Sequence, residues 1–243
     1  MTRQHLRRTV TVGFAGLLAA AVFTTPVAAQ STTRDLIMGL NRDLLILAVP
    51  IAIFMEGLLL YTVLKYRNND EAKPTPENKG LEISWTVATA LILVFVGFAS
   101  YQVLAHPDVT PAADSEAQLP DDAVVVDVTA RQFLWEFDYQ EGNVSTINEM
   151  VLPKDRPIYL RVQSADVIHA VHVPELALKV DAIPGQTNQL QTTMTEEGTY
   201  QLYCAEYCGQ GHSKMLASIE VVSDSEYEDW LEDQQSDDEE EDD

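Results

Sequence analysis

Cysteine and basic side chains are both scarce in this chain, and each scarcity excludes a class of protein. The two cysteines, Cys204 and Cys208, are too few and too close in sequence to build a disulfide framework. Only 15 Lys and Arg accompany 38 Asp and Glu, which gives a formal net charge of −23. That balance disfavours nucleic acid and anionic lipid as partners, because both need basic side chains. So large an acidic surplus is typical of halophile proteins, since high salt screens the repulsion.

The length of 243 residues allows a membrane anchor and one domain of about 100–150 residues. Residues 1–29 have the pattern of a secretory signal. A basic start is followed by an apolar stretch from Val10 to Val22 and by the small-residue sequence Val27-Ala28-Ala29. We therefore predict a signal peptide over residues 1–29, with an uncleaved anchor as the alternative.

Two long apolar segments predict a transmembrane hairpin within residues 30–106. One span covers residues 44–64 and contains a single acid, Glu56, and the other covers residues 86–105 without any charge. Each is long enough to cross about 30 Å of hydrocarbon as a helix. The loop between them is basic, which predicts a cytoplasmic location by the positive-inside rule. The rest of the chain then lies on the outer face of the cell membrane.

After a linker at residues 107–121, the pattern changes to short alternating strands within residues 122–222. Their composition and spacing predict an all-β Greek-key sandwich. The predicted strands are Ala123–Thr129, Gln132–Tyr139, Pro157–Gln163, Gly198–Tyr203 and Ala217–Val222. Residues 223–243 are an acidic tail, for which the composition predicts at most a short helix at Glu226–Leu231 and disorder from Glu232 onward.

The strongest chemical signal is the segment Cys204-Ala-Glu-Tyr-Cys208-Gly-Gln-Gly-His212-Ser-Lys-Met215. A thiolate, an imidazole and a thioether at this spacing, joined by one more histidine, form a blue-copper ligand set. A sandwich holds such a site at one end, with three ligands on one loop and one from a distant strand. His169 is the candidate for the distant ligand. These ligands make the predicted sandwich cupredoxin-like.

A mononuclear site has no use for the second thiolate, Cys204. Two thiolates in one loop can each bridge two copper ions, with His169 and His212 capping one ion each. Met215 and the backbone carbonyl of Glu206 then serve as weak ligands. A Cys204–Cys208 disulfide, a tetrahedral zinc site and a mononuclear blue-copper site remain alternatives. His172 points the other way on an extended segment, which favours a histidine with a structural or partner-facing role.

At this point the sequence resembles cytochrome oxidase subunit II over Leu44 to Val222. Four separated motifs carry the resemblance: the copper loop Cys204–Met215, Asp166-Val-Ile-His169, Lys179-Val-Asp-Ala-Ile-Pro-Gly185, and Glu82-Ile-Ser-Trp-Thr86. The resemblance implies a dinuclear copper A centre with His169, Cys204, the Glu206 carbonyl, Cys208, His212 and Met215 as ligands. It also implies that the Glu206 side chain helps to bind magnesium at the interface with subunit I.

Glu82 resembles the family's acid at the mouth of a proton channel in subunit I. The hairpin topology independently puts Glu82 on the cytoplasmic side, where protons are taken up. The alternative for Glu82 is a solvated helix start that stabilises the helix dipole. Glu56 is an acid within a span and therefore needs a partner, for which a helix of subunit I is the candidate.

Two departures from the family pattern concern the electron donor and the haem-side segment. Many members have Trp-Tyr-Trp where this chain has Phe133-Leu134-Trp135, and many have Arg where Gln186 follows Pro-Gly. The resemblance assigns electron acceptance to this aromatic stretch, at Trp135 and Phe133. Because the first Trp is replaced, the donor is either cytochrome c or a blue-copper protein.

The function implied is that of subunit II of a haem–copper oxidase, with subunits I and III as partners. It accepts electrons from the external donor and passes them to haem in subunit I, where oxygen is reduced to water and protons are pumped. A copper A subunit of a nitric oxide reductase and a membrane-tethered cupredoxin shuttle are the alternatives. Nitrous oxide reductase is disfavoured, because that family is soluble and has a further large domain.

Overall fold

The computed structural model describes residues 30–71, 73–74, 76–111 and 119–241, so the predicted signal peptide lies outside the described residues. Two helices open the fold, α1 at Thr32–Tyr66 and α2 at Lys79–Leu104. Each has an N-cap, since the side chains of Ser31 and Asn78 accept hydrogen bonds from backbone N–H groups in the first turns. The predicted span 44–64 lies inside α1, and α2 contains the other predicted span except for its last residue.

The apolar side chains of both helices face outward. Within the described residues, these two helices are long and apolar enough to cross a membrane, and none of the apolar window of either is buried by protein. Such an uncovered apolar surface is stable only in lipid or against other helices. The predicted two-helix transmembrane hairpin is therefore confirmed.

Ten strands form a sandwich of two sheets, which confirms the predicted cupredoxin-like β-domain. The strands are β1 Val124–Arg131, β2 Leu134–Tyr139, β3 Ser145–Ile147, β4 Glu149–Pro153, β5 Pro157–Ser164, β6 His169–Val173, β7 Leu178–Ala182, β8 Asn188–Thr193, β9 Gly198–Cys204 and β10 Leu216–Val222. One sheet has the order β3-β2-β1-β5-β8 and the other β4-β10-β9-β6-β7. The pairs β1–β5 and β4–β10 are parallel. Because strands that follow one another in sequence often belong to different sheets, the chain crosses repeatedly between the two sheets.

The core lies between the sheets and is filled by alternate residues of each strand. On β2, for example, Trp135, Phe137 and Tyr139 are buried and the intervening residues are partly exposed. This period of two is the pattern that predicted the strand. The Tyr139 hydroxyl donates to the Val151 carbonyl and accepts from the Val151 N–H, so its polar end is satisfied inside the core.

The acidic tail differs from the prediction. A third helix, α3, extends over Asp224–Glu241, where the sequence predicts disorder from Glu232. Tyr227 and Leu231 are buried and Trp230 packs edge-on against Tyr139 with ring centroids 5.1 Å apart. Residues spaced three and four apart form one apolar face, and packing of that face outweighs the unfavourable composition of the segment.

The start of α1 is fastened to the β-domain by side-chain hydrogen bonds. Ser31 Oγ donates to the carbonyl of Leu176 at 2.6 Å and Thr33 Oγ1 to Thr192 Oγ1 at 2.9 Å. Arg34 Nη1 donates to the carbonyl of Glu175 at 2.6 Å. These contacts fix the hairpin relative to the sandwich at the side of β8.

Candidate metal centre

The sulfur and imidazole groups of the copper motif converge at one end of the sandwich. Cys204 is the last residue of β9, and the loop that follows carries Cys208, His212 and Met215 before β10 begins. His169 is the first residue of β6, which pairs with β9 so that Val171 lies opposite Cys204. The sheet register therefore brings the distant histidine to the loop, as predicted.

The distances form a connected set around the two sulfurs. The two Sγ atoms lie 3.9 Å apart. His169 Nδ1 is 3.8 Å from Cys204 Sγ, and His212 Nδ1 is 3.7 Å from Cys208 Sγ. Met215 Sδ lies 3.8 Å from Cys208 Sγ, and the Glu206 carbonyl lies 3.1 Å from Cys204 Sγ. Each cysteine thus has one imidazole and one weaker donor beside it.

These separations fit metal binding and not a disulfide. A disulfide needs an S–S distance of about 2.05 Å, and both cysteines are free. Bonds from a metal ion to thiolate and imidazole are typically about 2.3 and 2.0 Å, so one ion can join two sulfurs up to about 4.6 Å apart. Among the described residues, His169, Cys204 and Cys208 form a group whose donor atoms all lie within 4.8 Å of one another.

The ligand end is largely closed to solvent. His169 and Met215 are fully buried, and both cysteines are almost fully buried. Burial, followed by the neighbouring Cys204, raises the pKa of Cys208 to about 11. The Cys208 thiol is therefore protonated at neutral pH without a metal, and metal binding there releases a proton.

Asp166 orients His169 from the side opposite the sulfurs. His169 Nε2 lies 2.8 Å from Asp166 Oδ1, which leaves Nδ1 to face Cys204. Burial raises the pKa of Asp166, but hydrogen bonds from His169 and from the N–H groups of Gln132 and Val167 outweigh it and lower that pKa. A carboxylate behind a metal-binding imidazole fixes both its tautomer and its direction.

The structure corrects one expectation about the aromatic stretch. Trp135 is fully buried in the core, with its ring centroid 6.2 Å from that of His169, so a docking protein does not contact it. Phe133 is 38% exposed and packs on the backbone of the copper loop. Phe133 is therefore a surface aromatic beside the ligands, as is Tyr207 of the copper loop, whose ring centroid lies 5.8 Å from that of His212.

The other predicted residues are divided between the helices and the surroundings of the ligands. Glu82 is in the first turn of α2, and Glu56 lies in α1 with its side chain exposed. The ring of His172 stacks obliquely on Tyr203 with centroids 5.0 Å apart, and it lines a surface pocket together with Cys204 and His212. The Glu206 side chain is exposed while its carbonyl faces Cys204.

Sequence reasoning missed two residues at the site. Asp166 is part of the motif that ends in His169, but the sequence analysis assigns it no function. A carboxylate three residues before a ligand histidine could have indicated that it orients the imidazole. Gln132 gave no local signal at all. It reaches the site because the turn between β1 and β2 folds over the copper loop, where Gln132 Nε2 donates to the carbonyl of Cys208.

Comparison with known proteins agrees with this architecture. The family model "Cytochrome C oxidase subunit II, periplasmic domain" matches residues 138–222, and the model of the transmembrane domain matches residues 20–103. Cytochrome c oxidase subunit 2 of Cereibacter sphaeroides is 31% identical over 85% of this chain and 77% of its own length. The chain belongs to the cytochrome c oxidase subunit II family.

Two further matches belong to the same family. The probable cytochrome c oxidase subunit 2 of Rickettsia bellii is 29% identical over 77% of this chain and 75% of its own length. The periplasmic domain of cytochrome oxidase subunit II of Bradyrhizobium japonicum, a solved structure, is 30% identical, with a TM-score of 0.47 over 49% of this chain and 99% of that one. As a subunit II, the chain is a membrane-bound component of an oxidoreductase.

Proposed function

We propose that this subunit II carries a dinuclear copper A centre. It takes electrons from an external protein and passes them to haem in subunit I of an oxygen-reducing, proton-pumping oxidase. The observation that carries the proposal is the distribution of donors around the two sulfurs. His212 Nδ1 is 3.7 Å from Cys208 Sγ, yet His212 is not in the group of His169, Cys204 and Cys208 whose donor atoms all lie within 4.8 Å. With His169 Nδ1 3.8 Å from Cys204 Sγ, each sulfur has an imidazole of its own, as two ions that share the sulfurs require.

The residues divide the work of holding such a centre. Cys204 and Cys208 would be shared by the two ions, His169 and His212 would each serve one ion, and the Met215 thioether and the Glu206 carbonyl would complete the set. When bound, the copper pair supplies a one-electron redox couple. Burial of His169, Met215 and the two cysteines shields most of the site from water, and Asp166 holds His169 in place, so these side chains are fixed before an electron arrives.

Electrons enter at the exposed side of Phe133, where a cytochrome c or a blue-copper protein docks on the outer face of the membrane. The buried Trp135 ring lies behind His169 and belongs to the packing that fixes this ligand. Electrons leave toward subunit I, where the exposed Glu206 carboxylate helps to bind magnesium. Glu82, on the cytoplasmic side, serves proton uptake by subunit I.

The test is copper loading of the full chain in detergent. We expect two copper ions per chain, a purple colour and an electron spin resonance spectrum split by both copper nuclei. A Cys204→Ser chain should lose the purple colour and the two-nucleus splitting, because only one bridging sulfur remains. Ser213→Ala, in the same loop but outside the ligand set, is the control and should keep both.

Two results would redirect the proposal. A single copper ion per chain with a blue colour would support the mononuclear site. Purified native complex that consumes nitric oxide and not oxygen would support the nitric oxide reductase alternative. Oxygen consumption driven by reduced cytochrome c or a blue-copper protein, with acidification of the medium by vesicles, would support the oxidase.

A further inference from the structure

The turn between β1 and β2 contacts both halves of the ligand set. Arg131 pairs with Leu134, so Gln132 and Phe133 form the two-residue turn. The backbone N–H of Gln132 donates to Asp166 Oδ2 at 2.7 Å. The other oxygen of Asp166 receives His169 Nε2 at 2.8 Å. The turn is thus bound to the carboxylate that orients the distant histidine.

The side chain of Gln132 extends in the other direction, onto the copper loop. Its Nε2 donates to the carbonyl of Cys208. A hydrogen-bonded path therefore runs from His169 through Asp166 and Gln132 to Cys208, without passing through a metal. We call this path the Gln132 bridge.

The loop is shaped to receive the turn. A Cβ on Gly211 would lie 2.4 Å from Phe133 Cδ2, and one on Gly209 would lie 2.9 Å from Gln132 Nε2. Gly209 also has φ +129, which a residue with a side chain rarely adopts. Both glycines therefore permit the turn to lie directly on the loop backbone.

We propose that Gln132 is a positioning residue, which holds Cys208 in register with His169 before and after copper binds. The inference rests on the proposed copper centre. Its physical content is preorganisation: the amide hydrogen fixes the Cys208 peptide and places the positive end of a dipole on the carbonyl oxygen of that cysteine. That dipole favours the reduced, more negative state of the centre.

The decisive variant is Gln132→Met, which keeps the length and shape of the side chain but removes the donor. In the copper-loaded full chain we expect two ions to be retained, with a midpoint potential lower than in the unmodified chain. Loss of copper to a chelator should be about 10-fold faster, because removing a hydrogen bond that supports a metal ligand typically weakens metal binding by at least this factor. Gln140→Met is the matched control. Gln140 Nε2 bonds Asp127 Oδ2 at 2.6 Å beyond the other end of β2, so this substitution should change neither quantity.

A second measurement covers the case in which the variant does not load copper. In the copper-free chains, amide hydrogen exchange of residues 205–215 should be faster in Gln132→Met than in the unmodified chain, with β5 unchanged in both. Equal exchange in the two chains would overturn the inference, as would a loaded variant with unchanged potential and unchanged copper loss. If the unmodified chain binds no copper, the proposed function fails, while the exchange comparison still tests the bridge.

Discussion

At the residue scale, the site shows which roles a sequence can reveal. Cys204, Cys208, His212 and Met215 are recognisable because their spacing in one loop is itself the chemical signal. His169 was predictable because one more imidazole was required. Gln132 was not, because its role depends on a turn that meets the copper loop only through the packing of β1, β2 and β6.

Phe133 provides a test of electron acceptance at this scale. Its ring is 38% exposed and lies over Gly211, so it belongs to both the surface and the ligand loop. Phe133→Ala should weaken binding of the donor protein about tenfold, because loss of a central aromatic contact typically costs about 1–2 kcal/mol. The measurement is the donor-concentration dependence of copper reduction by stopped flow.

The matched control for Phe133 is Ile147→Ala. Ile147 is 62% exposed but lies on β3, at the edge of the sheet. The Ile147→Ala substitution should leave the dependence of copper reduction on donor concentration unchanged. Equal behaviour of the two variants would exclude Phe133 from the docking surface.

At the element scale, the strands that alternate clearly were predicted and the others were not. β6 reads His-Ala-Val-His-Val and β8 reads Asn-Gln-Leu-Gln-Thr-Thr, so neither has a clean apolar period. These segments become strands because their neighbours offer backbone partners, which is tertiary information. The apolar face formed by Tyr227, Trp230 and Leu231 lies within the predicted helix Glu226–Leu231, but the continuation of α3 to Glu241 was missed because the residues after Leu231 are polar or acidic and have no apolar period.

Arg156 holds α3 on the sandwich, which gives a prediction for this element. Its guanidinium, with 14% of the side chain exposed, pairs with Glu228 at 2.7 Å, Glu141 at 3.2 Å and Asp224 at 3.3 Å. Burial lowers the pKa of Arg156, but these carboxylates outweigh it and raise that pKa. Arg156→Ala should reduce the free energy of opening of α3 by about 1 kcal/mol, because it removes these partly exposed ion pairs and the contact of the guanidinium with the Tyr227 ring, 5.5 Å from its centroid.

Amide exchange of residues 224–236 measures this opening free energy, and Trp230 fluorescence should shift to the red in Arg156→Ala. The control is Arg131→Ala. Arg131 is half exposed and pairs with Glu136 outside α3. Its loss should therefore change the free energy of opening of α3 by no more than about 0.5 kcal/mol. Unchanged exchange in Arg156→Ala would mean that the apolar face alone holds α3.

At the scale of the whole molecule, the net charge of −23 predicts a dependence on salt. Repulsion among the acids destabilises the compact state at low ionic strength, and the screening length falls from about 10 Å at 0.1 M to about 3 Å at 1 M salt. Salt also weakens the ion pairs of Arg156, but these attractions are few compared with the repulsions among 38 acidic side chains. The melting temperature in neutral detergent should therefore rise between 0.1 and 1 M NaCl, and a fall would show that the ion pairs dominate.

The seven residues of β10 join the copper loop at one end to α3 at the other. An extended strand of that length covers roughly 20 Å, about twice the distance over which physiological salt lets a surface charge act. The most acidic part of the protein is therefore electrically remote from the redox ligands. Changes in the charge of that terminus should alter the potential of the proposed copper centre very little.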